Sequence, residues 1–395
     1  VQPVVTGIGV ASAFGYGKQA LLDGLFAPRP VFAPLARPGR EPAGDGAPFV
    51  GAELPEPPAL LPPRVARITG LPGRVAVAVL DEAWHEAGLE AFAAERIGLV
   101  VGGSNLQSRE LLLTHRAYAE RLPWLPPRQG YTALDTDLCG LCTSHFAIRG
   151  FAFTAGGASA SGAVAVLQAL EAVRSGRVDA CIALGALQDL SAFDLQAMRA
   201  LGALSPGAAC RPFDRAHDGF MYGEACAALV LVRPELAAGG YGRIAGGAHL
   251  ANGHRGPDPS PEGELRAIRA ALADAGLAPG QIDYVNAHGT GTPLGDITEA
   301  AALRQAGLAH ARVNATKSLV GHGLAAAGAL ELAAVFLQMR AGRLHTNYNL
   351  ADPIEPELQW VRAAAGEPHA MRHALKLSFG FGGFDTAIVA SGLQP

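Results

Sequence analysis

Charge is scarce in this chain, and what there is nearly balances. Only 17% of the 395 residues are charged, and 31 basic against 35 acidic side chains leave a formal net charge of −4. That balance gives no electrostatic reason to expect a nucleic-acid partner. With 49% apolar residues it also excludes a disordered chain and suits a heavily buried α/β enzyme. Cysteine is scarce as well. The five cysteines, Cys139, Cys142, Cys181, Cys210 and Cys226, are odd in number and scattered, which argues against a disulfide framework and for reduced thiols. Cys139-Gly140-Leu141-Cys142 has C-x-x-C spacing, but no second pair completes a zinc site, and free cysteine is most often a buried small residue. Long apolar runs are missing too. Mean hydropathy is slightly positive, yet charged residues and glycines interrupt every run, so no 18-residue membrane span is expected. The N-terminus lacks a basic-then-apolar signal. A soluble, cytoplasmic protein with no membrane partner is the expectation.

The chain is long enough for two domain-sized units and a large core. Val4 to Val10 reads as a buried strand leading to a helix near Lys18 to Leu25. Residues 27–63 are rich in proline and poor in periodicity, as in a surface flap or cap. Further along, helix is predicted at Leu71 to Ala87, strand at Ile97 to Val101, and helix near Glu110 to Arg121 and Cys139 to Arg149. A strand at Ala180 to Leu184, a helix near Phe193 to Leu201 and a strand at Ala227 to Val232 follow. After Pro234 the alternation begins again, with strands at Gly242 to Ala248, Tyr284 to Asn286 and Ala387 to Ala390. Helices are predicted between them at Glu262 to Ala275, Asp296 to Gln305 and Gly328 to Ala341. This divides the chain into an N-terminal half, 1–234, and a C-terminal half, 235–395, with similar βα layouts.

Four segments carry the chemistry. Phe153-Thr154-Ala155-Gly156-Gly157-Ala158-Ser159-Ala160-Ser161-Gly162 reads as a strand, a bend of tiny residues and a helix running to about Arg174. Such a bend sets one side chain before a helix N-terminus, where free N–H groups favour negative charge; small residues for close packing would give the same pattern. Asn286-Ala287-His288-Gly289-Thr290-Gly291-Thr292-Pro293 puts His288 just past an apolar strand. Its glycine spacing does not match the dinucleotide fingerprint, and the Thr290 and Thr292 hydroxyls could bind an amide-rich tail. In Thr316-Lys317-Ser318-Leu319-Val320-Gly321-His322, Lys317 and His322 precede a helix of small residues that contains Glu331. A buried lysine needs a partner, and Glu331 is the candidate. Last, Ser378-Phe379-Gly380-Phe381-Gly382-Gly383-Phe384-Asp385 alternates glycine with phenylalanine, as in a flexible turn with aromatic walls.

These four segments, with Arg211-Pro212-Phe213-Asp214 to Gly223-Glu224, resemble the β-ketoacyl-ACP synthase family over nearly the whole chain. The resemblance implies a thiolase-like fold: two βαβαβαββ-type halves in a five-layered αβαβα core, usually a homodimer. It implies that the family's nucleophilic cysteine falls on Ser159, its histidines on His288 and His322, and its lysine and glutamate on Lys317 and Glu331. The gating phenylalanine falls on Phe379, whose N–H should join that of Ser159 in an oxyanion hole. Phe381 lines the pocket, and Thr290 and Thr292 hold the phosphopantetheine arm of a partner carrier protein. No metal and no cofactor of its own are expected. Arg64, Arg67 and Arg74 could greet an acidic carrier, or simply form a solvated face.

Ser159 is the departure that matters. A helix N-terminus contributes roughly 0.3–2 kcal/mol, at most about 1.5 pKa units, too little to ionise a serine. Serine therefore needs a general base to act as a nucleophile. Decarboxylation needs no nucleophile, only stabilisation of the thioester enolate, which two histidine donors supply. The chain thus looks like the serine-for-cysteine ketosynthase homologues that turn malonyl-ACP into acetyl-ACP beside an HMG-CoA-synthase-like enzyme in polyketide β-branching. Two other readings stand beside it: an acyltransferase or ester-forming synthase using Ser159 as nucleophile, and a non-catalytic, chain-length-factor-like partner subunit. Asp296 and Glu299 are expected to cap and order the helix after the histidine loop.

Overall fold

The computed structural model describes residues 1–42 and 46–393. Five strands come from the N-terminal half: β1 (Val4–Ser12), β2 (Ile97–Gly102), β3 (Phe151–Ala155), β4 (Ala180–Gly185) and β5 (Cys226–Val232). Five more follow: β6 (Gly242–Ala251), β7 (Tyr284–Asn286), β8 (Arg312–Asn314), β9 (His373–Gly380) and β10 (Phe384–Ser391). The sequences Ile-Gly-Leu-Val-Val-Gly, Ala-Cys-Ile-Ala-Leu-Gly and Cys-Ala-Ala-Leu-Val-Leu-Val of β2, β4 and β5 are apolar at nearly every position and buried throughout. Unbroken apolar runs of this kind belong to strands covered on both faces.

The strands are ordered β8-β7-β9-β10-β6-β1-β5-β4-β2-β3, with Gln359–Trp360 outside β8. Every N-terminal strand lies on one side of the β6–β1 junction and every C-terminal strand on the other. That junction is short, pairing only Val4 with Arg243 and Val5 with Gly242. Helices cover both sides: α1 (Leu71–Ala87), α2 (Ser161–Arg174), α3 (Pro261–Ala275), α4 (Pro293–Gln305), α5 (Lys317–Val320) and α6 (Ala327–Ala341). Outside the N-terminal half, α1 packs on β1 and β5, while α3 packs on β6 and β10 outside the other. Between the halves α2 and α6 pack on each other, α2 against β2 and β4 and α6 against β5 and β9. The expected five-layered αβαβα core is the result.

The central layer is thin because its residues are small. An added Cβ on Gly328 would sit 2.6 Å from the Ala163 nitrogen, and one on Gly162 would sit 2.7 Å from the Ala329 nitrogen. Backbone therefore meets backbone where α2 and α6 cross, and both helix starts reach the same point. One expectation fails in this layer. Leu324–Ala341 forms an 18-residue helical run long and apolar enough to cross a membrane, with 83% of it buried inside the fold. The single Glu331 and Arg340 did not break the run, and its apolarity serves a helix enclosed between strands of the two halves.

Other elements fall close to the expected places, with α1 and β7 at the predicted bounds. Strands β8 and β9 were not anticipated. The Phe-Gly segment is correspondingly a β-hairpin rather than a flexible turn: Phe379 pairs with Asp385 and Gly380 with Phe384. The proline-rich flap, of which residues 43–45 lie outside the described residues, is pinned rather than loose. Val50–Ala52 runs parallel to Tyr222–Gly223, and Arg40 is buried against Asp189 at 2.8 Å and Glu224 at 2.7 Å. All five cysteines are buried and free, and burial raises the Cys139 and Cys142 thiols.

The close crossing gives a direct test. Gly328→Val should lower unfolding free energy by about 1–3 kcal/mol in a urea titration, because two backbones must separate. Gly140→Ala, whose Cβ meets nothing within 4 Å, should be neutral or stabilising by up to about 1 kcal/mol.

Candidate active site

Strand β3 ends in the tiny-residue bend, and Ser159 lies in the 3-10 turn Ala158–Ala160 that leads into α2. The Ser161 hydroxyl locks that bend by accepting the Gly157 N–H at 2.9 Å and donating to the Ala158 carbonyl at 2.7 Å. Ala158 is held at φ 47°, a left-handed conformation that costs a residue with a Cβ roughly 1–3 kcal/mol. Leu324, just past the second histidine, is held the same way at φ 49°. Strain on both sides of one cavity is a mark of a built site.

His288 follows β7 directly. Its N–H and that of Gly289 donate to the two oxygens of Glu299 on α4, at 2.6 and 2.8 Å. Asp296 in turn accepts from the Phe213 and Gly291 N–H groups and contacts His217. The two carboxylates therefore brace the histidine loop from within the helix; they do not cap it, and the residue before the helix, Thr292, makes no side-chain cap. Burial pushes the Glu299 carboxyl up to about 7, against the pull of its two N–H donors.

Lys317 opens α5 and is completely buried. Its Nζ lies 2.7 Å from Glu331 on α6, as expected, and 3.2 Å from His288 Nδ1, with a further bond to the His288 carbonyl. An ammonium has only protons to give, so His288 Nδ1 accepts and the ring proton sits on Nε2. His322 is set by a different device. The Leu324 N–H donates to His322 Nδ1 at 3.1 Å, which again leaves the proton on Nε2, and that proton is directed at Ser159 Oγ, 3.0 Å away. The imidazole planes meet edge to face with centroids 5.6 Å apart, and Phe379 packs edge-on to His288 at 5.6 Å. Phe220 closes the other side of His322 at 5.1 Å. Both histidines are held well below their ordinary pKa, chiefly by burial and then by Lys317.

These residues share a cavity of about 520 Å3 with Thr290, Thr292 and Phe381. The threonine hydroxyls lie 2.8 Å apart, and Phe381, at the hairpin tip, is 42% exposed. Ser159, His288, His322, Thr290, Thr292, Phe379 and Phe381 thus line one cavity, while Lys317 and Glu331 lie outside its lining, behind His288. Gly380 adjoins the Ser159 bend so closely that a Cβ there would lie 2.2 Å from the Gly157 carbonyl.

Three participants were missed. Lys376 on β9 is buried, with its Nζ 2.7 Å from the second Glu331 oxygen. A lone lysine inside Ala374-Leu375-Lys376-Leu377 was the available signal, since an apolar strand offers it no water. Glu264 on α3 lines the cavity while buried, and its Oε2 has no hydrogen-bond partner among the described residues. Burial raises its pKa well above the ordinary range, with Glu299 and Asp385 adding to the effect. Asn252 holds both oxygens of Asp385, at 3.2 and 3.0 Å. No sequence signal marks Glu264, because an acidic residue in a first helical turn is commonplace.

Comparison with known proteins agrees with this fold. Models of the β-ketoacyl synthase N-terminal and C-terminal domains match residues 3–237 and 241–351. The polyketide biosynthesis malonyl-ACP decarboxylase PksF of Bacillus subtilis (strain 168) is 45% identical over 404 residues, covering 99% of this chain and 96% of that protein. The ishigamide ketosynthase/chain length factor superposes with a TM-score of 0.91 at 26% identity, over 100% of this chain and 99% of that one. A type II polyketide ketosynthase solved with its acyl-carrier protein, AntDE:AntF, gives 0.83 at 25% identity, over 100% and 99%.

The ring environments predict a titration. A free histidine takes up a proton near pH 6.5, but burial and the neighbouring ammonium groups lower the affinity of His288 and His322. Nitrogen-15 NMR of histidine-labelled protein, assigned through His288→Gln and His322→Gln, should show both rings neutral from about pH 7.5 down to about pH 6. Ring protonation near 6.5 would contradict the buried donor arrangement.

Proposed function

Because the chain belongs to the β-ketoacyl synthase family, we propose that it decarboxylates malonyl-ACP to acetyl-ACP with Ser159 in place of a nucleophilic cysteine. The observation that carries this reading is the proton inventory of the two rings. Both Nδ1 atoms are occupied as acceptors, so both Nε2 atoms present N–H donors and neither is free to deprotonate Ser159. A thioester carbonyl placed between them receives two hydrogen bonds, which strengthen as negative charge develops on its oxygen. The bond from the α-carbon to the carboxylate then breaks, and its electron pair moves into the thioester as an enolate while CO2 leaves. A proton from solvent returns to the α-carbon, giving the acetyl thioester. His322 would exchange its bond to Ser159 Oγ for one to the substrate oxygen, and Ser159 would keep the pocket polar.

The same inventory weighs against the ester-forming reading, since an acyl-serine requires a base that can accept the hydroxyl proton. It also weighs against a non-catalytic partner subunit, whose site has no need of strained backbone and two aligned donors. The 45% identity to a malonyl-ACP decarboxylase across nearly the whole chain points the same way. The substrate is delivered on the phosphopantetheine arm of a carrier protein, with Thr290 and Thr292 along its path. We assign the acetyl-ACP produced to an HMG-CoA-synthase-like partner in polyketide β-branching, in the cytoplasm. A homodimer is supported by β3, which ends the sheet with Phe153 exposed and stacked on Phe151 at 5.7 Å. A bare strand edge with apolar side chains is suited to pairing with a second copy.

Intact-protein mass spectrometry of malonyl-ACP incubated with the enzyme tests the reaction. Acetyl-ACP should form with the parent enzyme and with Ser159→Ala at rates within about tenfold, with no mass added to either. His322→Ala should lose about 100-fold or more in kcat, as when an oxyanion donor is removed. An acyl adduct on the parent enzyme together with a dead Ser159→Ala variant would overturn the decarboxylase reading. Arg64 and Arg67 are exposed, and Arg64→Glu/Arg67→Glu should raise the KM for malonyl-ACP about tenfold while leaving kcat unchanged, provided these arginines meet the carrier.

A further inference from the structure

Two lysines converge on one carboxylate behind the histidine pair. Lys317 from α5 takes one oxygen of Glu331 and Lys376 from β9 the other, each at 2.7 Å, and all three side chains are almost wholly removed from water. Such an arrangement is costly for a structural ion pair, because a second buried ammonium adds desolvation without a second carboxylate to offset it. Glu299, the other acid whose charge acts on Lys376, is already engaged by two backbone N–H groups and pushed up to about 7 by burial. Each lysine meets Glu331 as an ion pair and donates its hydrogen bonds elsewhere: Lys317 Nζ to His288 and Lys376 Nζ to the Leu377 carbonyl, while Glu331 Oε2 has no hydrogen-bond partner of good geometry among the described residues. Lys376 is thus held in place as a charge more than as a hydrogen-bonding partner.

We infer that Lys376 is a positioning residue of the active site, leaving an excess positive charge behind His288 and His322 that keeps both rings neutral and draws the developing negative charge towards their Nε2 protons. The inference deepens the decarboxylase reading and rests on it for its catalytic part. The charge acts through Lys317 and Glu331, the pair that fixes His288 Nδ1 as an acceptor. Lys376 contributes to the lowered proton affinity of both histidines, alongside burial and Lys317. In decarboxylation, negative charge migrates from the malonyl carboxylate to the thioester oxygen. A fixed cation on the histidine side of that path favours the migrated state, because the field is already in place when the bond breaks. This role gives a reason for a buried charged residue between Leu375 and Leu377 that the serine substitution leaves unexplained.

The groups facing Lys376 are Glu331, Lys317 and Glu299. Burial lowers its own proton affinity and Lys317 adds to that, while Glu331 opposes, bringing it to about 8. It is therefore charged at neutral pH and loses its proton in the alkaline range.

The test uses Lys376→Met, which keeps length and apolar volume while removing the charge. In substrate-free protein, nitrogen-15 NMR should show His288 and His322 taking up protons at higher pH than in the parent. Histidine titrations identical to the parent overturn the inference, and a role confined to packing would leave them in place. In turnover of malonyl-ACP, kcat should fall about tenfold or more with KM little changed, as expected from loss of a nearby unit charge. If Lys376→Met does not fold, the parent enzyme decides: kcat falling as pH rises through about 8 supports the inference, and kcat flat to about pH 9.5 overturns it. Because the titrations need no substrate, shifted histidines in a chain that does not turn over malonyl-ACP would sink the reaction assignment and leave the charge assignment standing.

Discussion

The site depends on what occupies the two Nδ1 atoms. A neutral imidazole has one donor and one acceptor, and whichever nitrogen is bonded to a donor must carry the lone pair. Here a backbone N–H holds His322 and a buried ammonium holds His288, so the chemistry is decided at atoms that face away from the substrate. The Leu324 N–H is available because Leu324 sits in a strained left-handed turn. The ammonium is available because Glu331 compensates it within the buried stretch of α6. Removing either support would free a ring to flip its tautomer, and a flipped ring presents a lone pair to an oxygen that is gaining charge.

These supports all lie in the second half, and the fold brings the first half's serine to them. Ser159 comes from the end of β3 and the start of α2 in the first half, and both histidines come from the second. They meet because α2 and α6 cross at glycine and alanine, letting two helix beginnings and two strand ends share one point. The β9–β10 hairpin then reaches the Ser159 bend through Gly380 and sets Phe379 against His288. Close approach in the middle layer is thus a condition of the chemistry as well as of stability. Bulk added there would move Ser159 away from His322 before it unfolded anything.

Much of this was legible in the chain. Periodicity placed nearly all the longer elements, and the family resemblance carried by the four glycine-rich segments named Ser159, His288, Lys317, His322 and Glu331 before any contact was known. What was hidden shares a physical cause. Strand β9 went unread because Lys376 and the following glycines interrupt its apolar alternation, and the residue that obscured the strand is the one its burial makes informative. Leu324–Ala341 was taken as too interrupted to resemble a membrane span, although one glutamate in 18 residues is no barrier when it is paired in a core. Asp296 and Glu299 were read as caps because an acid near a helix start usually is one. Their true partners, the N–H groups of His288, Gly289, Gly291 and Phe213, depend on how a loop folds back, which local spacing does not record.

Replacing sulfur by oxygen at position 159 separates two reactions that share one electrostatic apparatus. Condensation needs an ionised nucleophile and an acyl group held on it; a serine beside an N–H donor supplies neither. Decarboxylation needs only that negative charge be more stable on the thioester oxygen than on the carboxylate it leaves. Both Nε2 protons, and the lysines behind them, contribute to that difference whether position 159 carries a thiol, a hydroxyl or a methyl group. The rest of the site therefore serves decarboxylation without a nucleophile at position 159. A histidine pair already wired as donors makes the loss of one reaction compatible with the survival of the other.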